Sequence, residues 1–458
     1  MNAWLTYDQK DIQNVMDFAK DYMDFISMAK TERLAVKEII RIARAYGYRD
    51  IDEIVKNQEV LKPQDKVYFN MMNKSIALLH IGDEDLKNGL NILGAHIDSP
   101  RLDLKQRPLY ESDGFALLDT HYYGGIKRYQ WVTTPLAMIG VVCLKDGKTI
   151  EVNIGNKEED PVFVISDLLV HLSATQLAKK GSEVVEAEDL NVTFASMPLK
   201  GVEKEAVKAN ALSLLKNYYG FEEEDFVSAE IEMVPAGKAR SAGIDQSMVL
   251  GYGQDDKSCA YPSLMALLSM ETVKRSAACL LVDKEEIGSE GPTSMQSFFF
   301  ENFMMDVFDR ILEPNYLSVR KCFSNSCVLS SDVGIAHDPN YAYVSSPNDN
   351  QAKMGHGLIF MKYTGSRGKA LSNDANAEFV ARIRYCMDKD HVNWQTSELG
   401  KVDQGGGGTI AKFLARYGME VLDCGVPVIS MHATHELISK ADLYEAYKGY
   451  KAFLTYNN

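Results

Sequence analysis

The chain has 458 residues, too many for one hydrophobic core of ordinary size, so two domains are expected. Apolar residues make up 46% and charged residues 25%, which excludes a disordered or fibrous chain. With 49 basic and 64 acidic side chains the net charge is -15, and no basic patch offsets it, so a nucleic-acid partner is not expected. In chain order, the first 48 residues carry helical periodicity, with Val15, Phe18, Tyr22, Phe25 and Ile26 in one segment and Leu34, Ile39, Ile42 and Ala43 in a second ending at Tyr46-Gly47. A hairpin is expected over Val67 to Asn70 and Ser75 to His80. The run from Gly89 to Ala95 reads as a buried strand that delivers His96 and Asp98 at its end.

The texture changes between about 100 and 249. Short strand-like runs appear at Ala116 to Leu118, Trp131 to Thr134, Leu136 to Leu144 and Thr149 to Ile154, with helical stretches at Ile165 to Lys179 and Glu203 to Tyr218. From 250 onward helices and buried strands alternate. Tyr261 to Arg275, Phe298 to Leu312, Ala375 to Asp388 and Thr409 to Tyr417 read as helices. Ala277 to Val282, Cys327 to Ser331, His391 to Thr396 and Val421 to Asp423 read as strands. Such alternation predicts an α/β fold with a mostly parallel or mixed sheet covered on both faces. The acidic run Glu222-Glu223-Glu224-Asp225 reads as solvated surface.

Seven cysteines, an odd number with no C-x-x-C pair, exclude a disulfide scaffold and fit a reducing compartment. No apolar run approaches the roughly 18 residues that mark a membrane span. Met1-Asn2-Ala3-Trp4 opens no basic-then-apolar export signal. A cytoplasmic protein with no membrane partner is therefore expected.

Five clusters of His, Asp and Glu fall at strand ends, where sites in open α/β sheets gather. In Gly94-Ala95-His96-Ile97-Asp98, residues two apart share a side of an extended chain, so His96 is placed to bind a metal while Asp98 orients the ring. Alone, the pair is a weak signal and reads more readily as exposed surface. Asp255-Asp256 precedes an apolar helix, and such acids meet a cation, cap the helix N-terminus, or do both. Cys279-Leu280-Leu281-Val282 runs straight into Asp283-Lys284-Glu285-Glu286. Burying unpaired carboxylates costs several kcal/mol, so one glutamate is read as a ligand and the other as a proton acceptor, the alternative being a solvated turn. Ser331-Asp332 with the later His337, and Met431-His432 with His435-Glu436, complete the set.

These ligand types favour zinc, manganese or cobalt over copper or an iron–sulfur centre. Two metals sharing a carboxylate would make a hydrolytic site. HExxH, G-x-S-x-G, GxGxxG and P-loop motifs are absent, which removes the main support for other hydrolase, dehydrogenase and NTPase readings. His96 precedes the change in texture and Asp255 follows it. One catalytic domain, 1–100 and 250–458, is therefore expected to be split by an insert over 101–249.

Over essentially the whole chain the sequence resembles the M18 family of metalloaminopeptidases, the aspartyl aminopeptidase and vacuolar aminopeptidase I group. The resemblance is carried by Gly94 to Pro100, Tyr123-Gly124-Gly125-Ile126, Asp283 to Ser289, Ser331-Asp332-Val333 with Pro339-Asn340, and Met431-His432 with Glu436. It implies a mixed-sheet di-metal exopeptidase domain with an inserted β-rich dimerisation domain, and two divalent ions per subunit, Zn2+ before Co2+ or Mn2+. It assigns His96 and Asp332 to one metal, Glu286 and His432 to the other, and Asp255 as the bridge, with Asp256 the alternative. Glu285 becomes the general base, Asp98 the residue orienting His96, and His171 a side chain lent to a neighbouring subunit's active site. The implied substrates are peptides with a free N-terminus, and the implied assembly is a homo-oligomer, a dodecamer built from dimers. His435 stands where better-known members carry arginine, while Gly405 to Ile410 keeps the glycine-rich character expected near substrate. The stretch from Lys353 to Lys362 departs from the eukaryotic acidic-substrate enzymes, so an acidic preference is not carried over. Other binuclear metallohydrolases and a non-catalytic scaffold are the competing classes.

Overall fold

A computed structural model describes residues 1–346, 348 and 350–456. The chain divides into two compact units: 1–98 with 239–431 and 436–458, and 99–238 with 432–435.

Nine strands form the main sheet of the first unit among the described residues. At its centre Ala277–Val282, Asn91–His96 and Cys327–Ser331 lie side by side and parallel, followed by Glu420–Gly425, also parallel. Ser75–His80 flanks the other side antiparallel, and Lys66–Met71 pairs with it as a hairpin. The three central strands are buried at every residue. Alternate side chains point to opposite faces. Leu93, Cys279, Leu281 and Leu329 accordingly join one core, and Ile92, Ala278, Leu280 and Val328 the other.

The first core is covered by the helices Gln9–Met28, Glu32–Ala45, Gln254–Leu268, Ala377–Lys389 and Lys440–Thr455. Phe299–Arg310 and Tyr316–Ser324 cover the second. Helix starts follow local capping chemistry. Asp8 and Asp11 form a reciprocal capping box, and the Thr31 hydroxyl accepts the Leu34 N–H. A smaller sheet of this unit joins Met248–Gly251 to Glu436–Ser439 and Pro427–Ile429.

The second unit is built on a six-stranded sheet among the described residues, all of it antiparallel. Two expectations fail here. Trp131 to Thr134 is a turn after the 3-10 segment Arg128–Gln130, with the Trp131 ring buried as core. Ile165 to Lys179 is not one helix: only Val170–Leu172 (3-10) and Ala174–Leu177 are helical. The start of that stretch is drawn into β bridging, as Thr133 N donates to Ile165 O and Val164 bridges Thr193. Leu168, Leu169, Val170, Leu172 and Leu177 are exposed, so the stretch lacks the buried apolar face that would hold it as one amphipathic helix.

Candidate metal centre

Parallel register brings the site together. Val282 is level with His96, and Ser330 with Gly94, so the C-terminal ends of three neighbouring strands release His96, Asp283 to Glu286, and Asp332 at one edge of the sheet. Asp332 N donates to Cys424 O at 2.8 Å, tying its turn to the next strand. Asp255 comes from the irregular start of the helix Gln254–Leu268, where Asp255 and Asp256 depart from helical dihedrals and the peptide joining them is cis.

His96 is buried at the centre of these groups. Its Nε2 lies 3.1 Å from Asp255 Oδ1, 3.8 Å from Asp332 Oδ1 and 4.0 Å from Glu285 Oε2. Its Nδ1 faces Asp98, 3.2 Å from Oδ1 and 3.1 Å from the carbonyl oxygen. Asp98 is fully buried, and its carboxylate also accepts the amide N–H of Glu285 at Oδ1 and of Glu286 at Oδ2, each at 3.2 Å. Glu436, which the motif flagged without a role, accepts the Asp255 N–H at 3.3 Å and is buried.

Two sets of potential ligand atoms lie within 4.8 Å of one another: His96 with Asp256 and Asp332, and His96 with Asp255 and Glu286. Burial opposes a charge on His96, yet hydrogen bonds to Asp255 and Asp98 hold its pKa well above the usual histidine value. Burial drives Asp256 and Asp332 well above the carboxylate range, and neighbouring acids add to it. Asp256 Oδ1 is buried with no hydrogen-bond partner among the described residues. A crowd of buried carboxylates around one imidazole is costly without added positive charge. Its oxygen and nitrogen donors suit divalent cations. The residues present fit two metal sites.

The remaining expected residues belong to neither ligand set. His337 pairs its Nδ1 with Ser345 Oγ at 2.8 Å and belongs to neither ligand set. His171 is exposed in the 3-10 turn Val170–Leu172 of the second unit. His432 groups with that unit too, in left-handed backbone at φ 64°, and its Nδ1 lies 2.8 Å from Gly125 O. A carbonyl only accepts, so this contact puts the proton on Nδ1 and leaves Nε2 in the form that ligates metals. Sequence reasoning missed Glu436 as a backbone anchor, and it missed the contact of Asp256 Oδ2 with His96 N at 3.2 Å. The adjacency of the two aspartates was the available signal.

Residues 25–454 match the family model described as aminopeptidase I zinc metalloprotease (M18). The chain is 55% identical over 454 residues to a probable M18 family aminopeptidase 1 of Clostridium acetobutylicum, covering 99% of this chain and 97% of that one. A crystal structure of an M18 aminopeptidase from Thermotoga maritima superimposes with a TM-score of 0.94 at 44% identity, over 99% and 98% of the two chains. The mApe1 dodecamer of S. cerevisiae shares the fold, with a TM-score of 0.76 at 18% identity over 96% and 97%.

Proposed function

The chain belongs to the M18 family of metalloaminopeptidases, and from that premise we propose that Glu285 is the general base of a two-metal site that removes N-terminal residues from peptides. The observation that carries this reading is the position of His96 Nε2, within 3.1–4.0 Å of Asp255, Asp332 and Glu285 together. His96 and Asp332 would hold one divalent ion, Glu286 and His432 the other, with Asp255 between them and zinc the expected metal. Bound there, the ions would polarise the first peptide carbonyl and acidify an attacking water.

The protein's own groups do the rest. Glu285 Oε2 takes the proton from water and returns it to the departing amine. Asp98 fixes the His96 ring from behind while gripping the backbone of the base, so ligand and base keep one geometry. A free α-amine is positively charged at neutral pH, and the acidic lining of the site favours it.

The homo-oligomer is the second part of the proposal. Val170 is 71% exposed and Leu172 67%, on either side of His171, and an apolar segment so displayed is covered economically by a second copy. The relative of known dodecameric assembly supports the same stoichiometry here. The second unit would then serve dimerisation, with His171 offered to a neighbouring site. Seven free cysteines, six of them buried, support a reducing, cytoplasmic location.

The test is a panel of matched peptides with free and acetylated N-termini, run with zinc and with a chelator. Release of the first residue from free N-termini alone, abolished by chelation, is expected. Equal cleavage of the blocked peptides would sink the aminopeptidase assignment. Anomalous scattering from zinc-loaded crystals counts the ions and names their ligands, His432 included.

A further inference from the structure

Between the end of the strand Ala277–Val282 and Thr293, the chain carries both Glu285 and Glu286 on an excursion with little regular structure. Its one helical element among the described residues is the 3-10 turn Glu285–Ile287. Inside, Ser289 N donates to Lys284 O at 2.7 Å and Gly288 N to Glu285 O at 2.9 Å. Lys284 and Ser289, neither of them glycine, sit in left-handed backbone at φ 69° and 57°. Such backbone persists only where surrounding contacts over-determine it. No sheet ladder runs through this segment, so beyond the short-range backbone bonds inside it the fixing comes from side chains.

It comes from the loop's mouth. Thr293 Oγ1 donates to Asp283 Oδ2 at 2.6 Å, joining the last residue of the excursion to the first. Asp283 N donates to Ser75 Oγ at 2.9 Å, and the Ser75 hydroxyl donates to Thr293 O. The triangle closes, and all three residues are buried. Ser75 begins the neighbouring strand Ser75–His80, whose Ile76 is level with Leu281, so the triangle is pinned to the main sheet. The tip is held separately, by the Asp98 carboxylate. A loop gripped at mouth and tip keeps its two glutamates in place without secondary structure of its own.

We propose that Thr293, together with Ser75 and Asp283, is a positioning clamp that sets Glu285 and Glu286 at the metal centre. The clamp rests on the reading of Glu285 as base and Glu286 as ligand. An ångström of misplacement at a reacting group is enough to cost on the order of a hundredfold in rate, so its loss registers in turnover before it registers in folding.

The experiment compares Thr293→Val, which keeps the shape and loses the hydroxyl, with Thr293→Ser, which keeps the hydroxyl. Three quantities are measured on the full-length protein: amide hydrogen exchange over 284–290, the zinc-binding isotherm of metal-free protein, and kcat and KM on a free peptide. For Thr293→Val, exchange over 284–290 is expected to speed at least ~10-fold while that of 277–282 is unchanged. The weaker zinc equivalent is expected to bind ~10-fold less tightly, and kcat to fall ~10-fold or more with KM within about twofold. Thr293→Ser is expected within about threefold of the parent throughout. Parental exchange and zinc binding in Thr293→Val, or a Thr293→Ser as impaired as the valine variant, overturns the clamp. Should Thr293→Val not fold, Ser75→Ala carries the same measurements, and unchanged exchange over 284–290 there overturns it. A Glu285→Gln that retained turnover would remove the base assignment alone, because exchange and zinc binding decide the clamp without reference to turnover.

Discussion

Asp98 Oδ1 accepts the amide N–H of Glu285 at 3.2 Å, so the residue behind the His96 ring also holds the proposed base by its backbone. In Asp98→Asn an amide nitrogen replaces one acceptor and meets a backbone N–H donor to donor. Hydrogen bonds to charged groups contribute about 1.5–3 kcal/mol, and residues supporting metal ligands typically change affinity 10–100-fold. Zinc affinity is expected to fall by that factor, read by calorimetric titration of metal-free protein. Parental affinity would detach Asp98 from the centre.

Glu285→Gln keeps size and packing and removes the proton acceptor. Zinc binding is expected within about twofold of the parent, with kcat lower by roughly 10²–10⁴. Turnover near the parental rate in the zinc-loaded variant would place the base elsewhere.

Gly425 stands where the strand Glu420–Gly425 passes the Asp332 turn. A Cβ there would lie 1.7 Å from Asp332 O and 2.5 Å from its carbonyl carbon, so Gly425→Ala must push the two backbones apart. Overpacking of this kind costs about 1–3 kcal/mol or more. Urea unfolding and zinc stoichiometry measured together are expected to show both lower stability and a weakened Asp332 site. If neither changed, the backbones would not approach so closely.

Removing metal is expected to destabilise the fold as well as abolish activity, because the buried Asp255 and Asp256 and the half-buried Asp332 crowd around His96. Calorimetry with chelator against excess zinc checks this. A ligand at 100 times its Kd adds about 2.7 kcal/mol, so a drop in Tm of a few degrees, reversed by zinc, is the expected result. An identical Tm in both conditions would contradict tight binding at these residues.

His80 gives an acid limb remote from the metal ligands. Burial, helped by Lys66, lowers its pKa to about 4, and neither ring nitrogen has a hydrogen-bond partner among the described residues. Unfolded histidine titrates near 6.5. Between the two values the unfolded chain binds more protons, so stability rises with pH across that window and is lost as pH falls from about 6.5 toward 4. His80→Phe is expected to flatten that part of the Tm–pH curve. A variant with the parental slope would assign the acid limb to other groups.

The central strands were legible because strands buried on both faces leave near-continuous apolar runs, as in Ala277 to Val282, and because these runs stop abruptly in acids. Their spatial order was not. Ala277–Val282 sits between Ser75–His80 and Asn91–His96, and nothing local in the sequence encodes which strand lies beside which. The stretch from Ile165 to Lys179 misleads for a related reason: Leu168, Leu169, Val170, Leu172 and Leu177 remain exposed, so their spacing reports no buried helix face. Ser75 and Thr293 are ordinary residues in sequence and acquire a role only when two distant turns meet. Asp256 was legible as a candidate through its neighbour, whereas its bond to His96 N depends on how the helix start unwinds.

The parallel register of Asn91–His96 with Ala277–Val282 and Cys327–Ser331 also bears on how the protein is made. Residues 96 and 332 share one ligand set, so the ribosome must emit more than two-thirds of the chain before that set can close. Contacts so distant in sequence form late and slowly. A nascent chain halted before residue 332 would offer His96 the set it forms with Asp255 and Glu286 but not the one that needs Asp332. The set that needs Asp332 therefore waits for Cys327–Ser331 to join the sheet, and metal binding by a segment that ends before Asp255 should be weak.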